Sequence, residues 1–120
     1  MQKTILLAIT GIFLLSGSLA FAKSDTVLLK EAIKNVVTVA KAKTLKDETG
    51  VALTGTIVQH IAGDNFELKD STGTIMIEVD DDLWKPMQLK VGDKVKVIGE
   101  VDTHRKKPTD IDVIQIERVN

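Results

Sequence analysis

From Val51 onward the chain alternates apolar and polar residues with a period of two, and this alternation restricts the fold more than any other feature. Such alternation marks β-strands with one buried face, bounded where Gly, Asp, Asn and Ser cluster. The first run starts at Val51, passes Leu53, Gly55 and Ile57, and extends to about Ile61. After the turn Ala62–Asn65, a second runs from Phe66 to Lys69 and a third from Thr74 to Val79, with Asp70–Gly73 as the hairpin turn between them. A fourth covers Lys94–Asp102, with Val95, Val97, Gly99 and Val101 on its inward face, and a fifth covers Ile111–Val119.

Between the third and fourth runs, Asp80-Asp81-Asp82-Leu83-Trp84-Lys85-Pro86 breaks the period. An aspartate cap, one helical turn and a proline fit a short helix there. Thr38 before Val39–Lys43 is a second helix start, leading into the first strand. The chain is therefore mainly β: a five-stranded OB-fold Greek-key barrel over residues 36–120, with a short helix between strands three and four. An SH3-like barrel is the competing small topology, and it lacks that helical turn. Gly55 and Gly99 favour the OB reading, because glycine at an inward mid-strand position is best explained by a sharp bend. Residues 23–35, with Val27, Leu28, Ala32 and Ile33 as apolar subset, read equally as a short helix or a mobile arm.

The N-terminus has a different logic. Lys3 precedes an apolar run from Ile5 to Leu15, Ser16–Ser18 interrupts it, and Ala20-Phe21-Ala22 follows. These are the parts of a cleavable signal peptide over residues 1–22, so the periplasm is the expected location. The run is too short for the roughly 20 apolar residues of a membrane span, and no stable membrane insertion is expected after cleavage. The chain has no cysteine, which removes thiol chemistry, disulfides and lipid attachment at the cleavage site. A formal charge of −1 gives no basic excess for nucleic acid or an anionic surface. Phe66 and Trp84 are the only aromatic rings beyond the signal apart from histidines, and both are expected in the core. Single-stranded nucleic acid needs exposed stacking platforms, so it is not an expected partner.

Read in order, V-x-L-T-G-x-I-V, K-D-x-T-G-x-I-x-I-E-V-D, L-W, V-G-D-K-V-x-V-x-G-E-V-D and D-I-D-V-x-Q-I resemble the bacterial OB-fold (BOF) family, the YgiW/YdeI-type periplasmic stress-tolerance proteins. The resemblance runs from Val36 to Val119. It implies a non-enzymatic domain that contributes to tolerance of envelope stress. The basic loop His104–Pro108 and the lysines Lys94 and Lys96 depart from any acidic groove transferred by analogy.

For chemistry, the residues offer a surface rather than a motif. Uniform alternation places Glu67 and Lys69 beside Met76 and Glu78 on the outward face, with Thr54, Thr56 and His60 contributed by strand one. Asp102 and Arg105 join from the rim. Such a mixed-charge face suits a small polar or charged ligand, a peptidoglycan-type glycan or a peptide. The alternatives are an adaptor that docks on an envelope protein through a strand edge or the N-terminal arm, and an ion scavenger using acidic rim residues. Asp80–Asp82 are read as helix caps, since adjacent residues diverge and lack the spacing of a calcium loop. His60 and His104, on separate elements, are read as exposed; no catalytic residue, cofactor or metal site is expected.

Overall fold

The computed structural model describes residues 23–120; the expected signal peptide lies outside them. Five strands close a barrel: β1 (Gly50–Ala62), β2 (Asn65–Asp70), β3 (Gly73–Val79), β4 (Lys94–Asp102) and β5 (Asp110–Arg118). Neighbours run β1-β2-β3-β5-β4 and back to β1, with β3 and β5 parallel and every other pair antiparallel. This is the OB arrangement, closed by a parallel β3–β5 ladder that pairs Met76–Val79 with Asp110–Val113.

The inward residues are those the period selects. Val51, Leu53, Ile57, Phe66, Leu68, Ile75, Ile77, Val79, Val95, Val97, Val101, Ile111 and Val113 are all buried. Both mid-strand glycines sit where backbone crosses backbone. A Cβ on Gly55 would lie 2.6 Å from the carbonyl oxygen of Lys69, and one on Gly99 would fall on that of Asp112. Gly99 also follows a register shift in the β4–β5 ladder.

Three helices complete the described residues: α1 (Asp25–Lys34), α2 (Val39–Ala42) and α3 (Asp81–Trp84). Of the apolar subset in α1, Leu28 and Ala32 are buried, whereas Val27 and Ile33 are exposed. Helix α1 is tied to the barrel at Gly50, whose N–H donates to Glu31 Oε1 (2.8 Å) and whose carbonyl accepts from Asn35 Nδ2 (3.0 Å). Glu31 also receives Lys23 Nζ at 2.9 Å, and its carboxyl is held below the usual range by Lys23 and by the Gly50 N–H. Thr38 caps α2 by accepting from the Lys41 N–H. Asp80 occupies the cap position of α3, but its side chain makes no capping bond; its carbonyl instead accepts from Leu83 and Trp84. The aspartate run is thus not a side-chain cap.

Candidate functional site

Strand register sorts the outward side chains into rows across the barrel. One row runs Gln59–Glu67–Met76–Asp110–Asp102, and the next runs Asn65–Glu78–Asp112–Glu100. Toward the opposite end, Thr74, Lys69, Thr56 and Lys94 form a third, and Thr54 faces Lys96. The expected single mixed-charge face is therefore divided into three zones.

The central zone is a cleft of about 220 Å³ lined by Lys43, Ile61, Glu67, Thr74, Ile75, Met76, Pro108 and Thr109. It lies between the β2–β3 surface and the loop before β5. Of the expected site residues, Glu67 and Met76 are brought together here. Lys43 reaches it because α2 is pinned to the β2–β3 turn: the N–H of Val39 donates to Asp70 Oδ2 (2.9 Å) and that of Ala40 to Thr72 Oγ1 (2.9 Å). Burial alone would raise the Asp70 carboxyl, but the Thr72 hydroxyl and the N–H groups of Val39, Thr72 and Gly73 hold it below its ordinary value.

His60 is not on this face. The β1–β2 register shifts between Ile57 and Gln59, so Gln59 opposes Glu67 and His60 opposes the buried Phe66. A bulge of this kind inserts one residue and reverses the side-chain parity beyond it. The His60 ring stacks on Phe66 with centroids 4.1 Å apart, and Trp84 meets the two rings edge-on at 5.0 and 5.4 Å. Trp84 Nε1 donates to Asp64 Oδ1 at 3.0 Å, fixing the indole over this end of the barrel. Ile61, displaced by a second shift, is the β1 residue that reaches the cleft.

Thr54, Thr56 and Lys69 lie in the lysine-rich zone with Lys94 and Lys96, away from the cleft lining. Glu78 belongs to the acidic zone, and Arg105 is exposed in the β4–β5 loop. In the acidic zone, burial, followed by the charges of Asp112, Glu48, Asp102 and Asp47, raises the Glu100 carboxyl above its ordinary value. Its Oε2 is buried with no hydrogen-bond partner. Asp112 is raised too, by burial first and then by Glu78, Asp80, Asp102 and Asp110. A second cleft, of about 360 Å³, opens beside it between Asp25, Asp80, Asp82, Leu83 and residues 112–114. Asp102 sits at the border, its Oδ2 3.6 Å from His104 Nε2, which also lies 3.3 Å from Asp110 Oδ1.

Sequence reasoning missed Lys43, Ile61, Pro108 and Thr109 at the cleft. No local signal marks them, because each depends on a bulge, on the pinning of α2 to the β2–β3 turn or on a loop folding over a distant strand.

Comparison with known proteins agrees with this architecture. The profile of the family described as "Bacterial OB fold (BOF) protein" matches residues 22–118. Protein YgiW of Escherichia coli K12 is 41% identical over 86 residues, which cover 72% of this chain and 65% of YgiW. The match thus spans just under two thirds of that relative. The calcium-regulated OB-fold protein CarO of Pseudomonas aeruginosa is 42% identical over 71 residues, 59% of this chain and 61% of CarO. The solved structure of E. coli YgiW superposes with a TM-score of 0.65 at 40% identity, covering 71% of this chain and 90% of that one.

Proposed function

The chain belongs to the bacterial OB fold (BOF) protein family, and on that footing we propose that it is a non-enzymatic periplasmic binding protein contributing to envelope stress tolerance. Its ligand is a small polar or charged molecule or an envelope glycan of the peptidoglycan type. The observation that carries this reading is the cleft between β2, β3 and the β4–β5 loop. Ile61, Met76 and Pro108 offer an apolar seat, while Glu67, Thr74, Thr109 and Lys43 surround it with donors and acceptors. A sugar ring has the matching character, with apolar C–H faces and a polar rim. At about 220 Å³ the cleft is smaller than the roughly 300–1,000 Å³ of sites that engulf a drug-sized ligand. It therefore seats one ring or one side chain of a longer ligand that extends across the barrel.

The test is calorimetric titration of the purified protein with a soluble disaccharide-peptide from peptidoglycan. Saturable binding is expected, weakened about tenfold or more by Glu67→Lys and by Met76→Asp, since each removes a central contact. Glu78→Lys, outside the cleft, serves as the control and should leave affinity within about twofold. Absent binding, or equal losses at all three positions, would reject the cleft as the site. Periplasmic fractionation, with sequencing of the mature N-terminus at Lys23, tests the location.

A further inference from the structure

We propose that Asp102, His104 and Asp110 form a binding site for one divalent transition-metal ion of the zinc class. The site is built by the register of β4 and β5, which sets Asp102 and Asp110 opposite each other at the rim. The connecting loop folds His104 back over that pair. Its Nε2 lies 3.3 Å from Asp110 Oδ1 and 3.6 Å from Asp102 Oδ2, and all three ligand atoms lie within 4.8 Å of one another. Zinc bonds of about 2.0–2.2 Å in tetrahedral geometry place ligand atoms roughly 3.3–3.6 Å apart. The two separations to His104 meet this, and the third, between the two carboxylates, lies within 4.8 Å.

Burial gives the cluster a floor and a mouth. The side chain of Asp110 is 8% exposed, that of His104 21% and that of Asp102 41%. Three protein ligands with a solvent-facing side leave a fourth position open to water or to another ligand atom.

The Asp110 carboxylate is one of two buried acidic side chains among the described residues. Buried charge needs compensation, and the barrel provides it for its other buried carboxylate. Asp93 accepts from Arg118 Nη2 at 2.9 Å, the Lys90 N–H at 2.9 Å and Lys90 Nζ at 3.4 Å. Asp110 is buried to the same degree, yet among the described residues no donor outside the cluster reaches its carboxylate. Its one side-chain partner among the described residues is His104 Nε2, at 3.3 Å. Arg105, Lys106 and Lys107, in the same loop, are exposed and make no ion pair among the described residues. A cation held between Asp110, Asp102 and the imidazole gives Asp110 the compensation that Arg118 and Lys90 give Asp93.

Ligand chemistry selects the metal. Calcium and magnesium take oxygen ligands in sets of six or more, whereas imidazole with carboxylate suits zinc, nickel and copper(II). The loop end is held by the Thr103 N–H, which donates to Asp47 Oδ1 at 2.9 Å. This inference does not depend on the ligand of the cleft, and its test uses none.

The full chain is titrated calorimetrically with Zn²⁺, and in parallel with Ca²⁺ and Mg²⁺. One Zn²⁺ per chain is expected at micromolar affinity or tighter, with Ca²⁺ and Mg²⁺ at least about a hundredfold weaker. His104→Ala should cost at least about a hundredfold in zinc affinity, since even outer-shell partners are worth 10–100-fold. His60→Ala should leave it unchanged. Because a variant at Asp110 can perturb folding, the second readout is the His104 Nε2 resonance of the unmodified protein, which should shift on zinc addition while that of His60 does not. The inference is overturned by absent zinc binding, by full affinity in His104→Ala, by an unshifted His104 resonance, or by calcium binding as tightly as zinc.

Discussion

At one end of β4 a buried carboxylate is answered by donors, and at the other end carboxylates face one another. Asp93, immediately before the strand, is gripped by Arg118 and Lys90, and the Arg118 guanidinium, opposed by burial, leads a set of bonds that lowers its pKa to about 2. Near the far end, Glu100, Asp102, Asp110 and Asp112 crowd the β4–β5 ladder, and burial with mutual repulsion raises Glu100 and Asp112. Both ends rest on the same closed, apolar interior, so core packing does not account for the contrast. The difference teaches where this barrel has settled its electrostatics for stability and where it has left them unsettled.

Breaking the settled end should have the largest effect. Asp93→Ala removes the acceptor of the Lys90 N–H and of Arg118, which keeps only the Met87 and Gln88 carbonyls, and should lower unfolding free energy by about 2 kcal/mol at pH 7 in thermal or urea melts. Arg118→Ala should cost only about 1 kcal/mol, because that guanidinium is already 42% exposed. A comparable loss from both would mean that the pair, rather than the Lys90 backbone bond, dominates. At the unsettled end the sign reverses. Glu100→Gln removes a charge whose Oε2 lacks a partner, and should raise stability by about 1 kcal/mol in the same assay.

The smallest effect is a change in the shape of the pH profile. Glu100 and Asp112 have folded-state pKa values above their ordinary 4.5 and 3.8. The folded protein therefore holds those protons more tightly, and their cost is present above the raised values and disappears as pH falls toward the ordinary ones. Asp93 works oppositely: its contribution is complete above 3.8 and is lost as pH falls toward about 2. Stability should rise slightly from neutral into mild acid, then fall below pH 4.5 as the contribution of Glu31 is lost, followed below 3.8 by those of Asp70 and Asp93. In Glu100→Gln/Asp112→Asn the rise should vanish while the fall remains; a rise that persists would place its origin elsewhere.

How much of this was legible in sequence follows from the range over which each feature is determined. The inward sets Val95, Val97, Val101 and Ile75, Ile77, Val79 follow from period alone, as do the bends at Gly55 and Gly99. The cap at Thr38 is equally local. Period alone puts His60 on the outward face, whereas a bulge after Ile57, which leaves no mark in the residue types, stacks it on Phe66. In α1, Leu28 and Ala32 turned inward rather than Val27 and Ile33 because the helix is clamped at Gly50, fifteen residues beyond Asn35. Likewise the parallel register that sets Met76 beside Asp110, and so divides one expected face into three zones, joins strands far apart in the chain.

Closure of the barrel has a consequence for how this protein avoids self-association. The segment Gly73–Val79, with Ile75, Met76, Ile77 and Val79, is the kind of short β-prone stretch that nucleates amyloid-like stacking when exposed. Here Met76 to Val79 are flanked by β2 on one side and β5 on the other, so that stretch is not a template for a second copy in the native fold. Without disulfides to restrain the opened chain, aggregation is held in check by the unfolding free energy itself. The paired Asp93 and the crowded Glu100 therefore also influence, in opposite directions, how often that segment is uncovered.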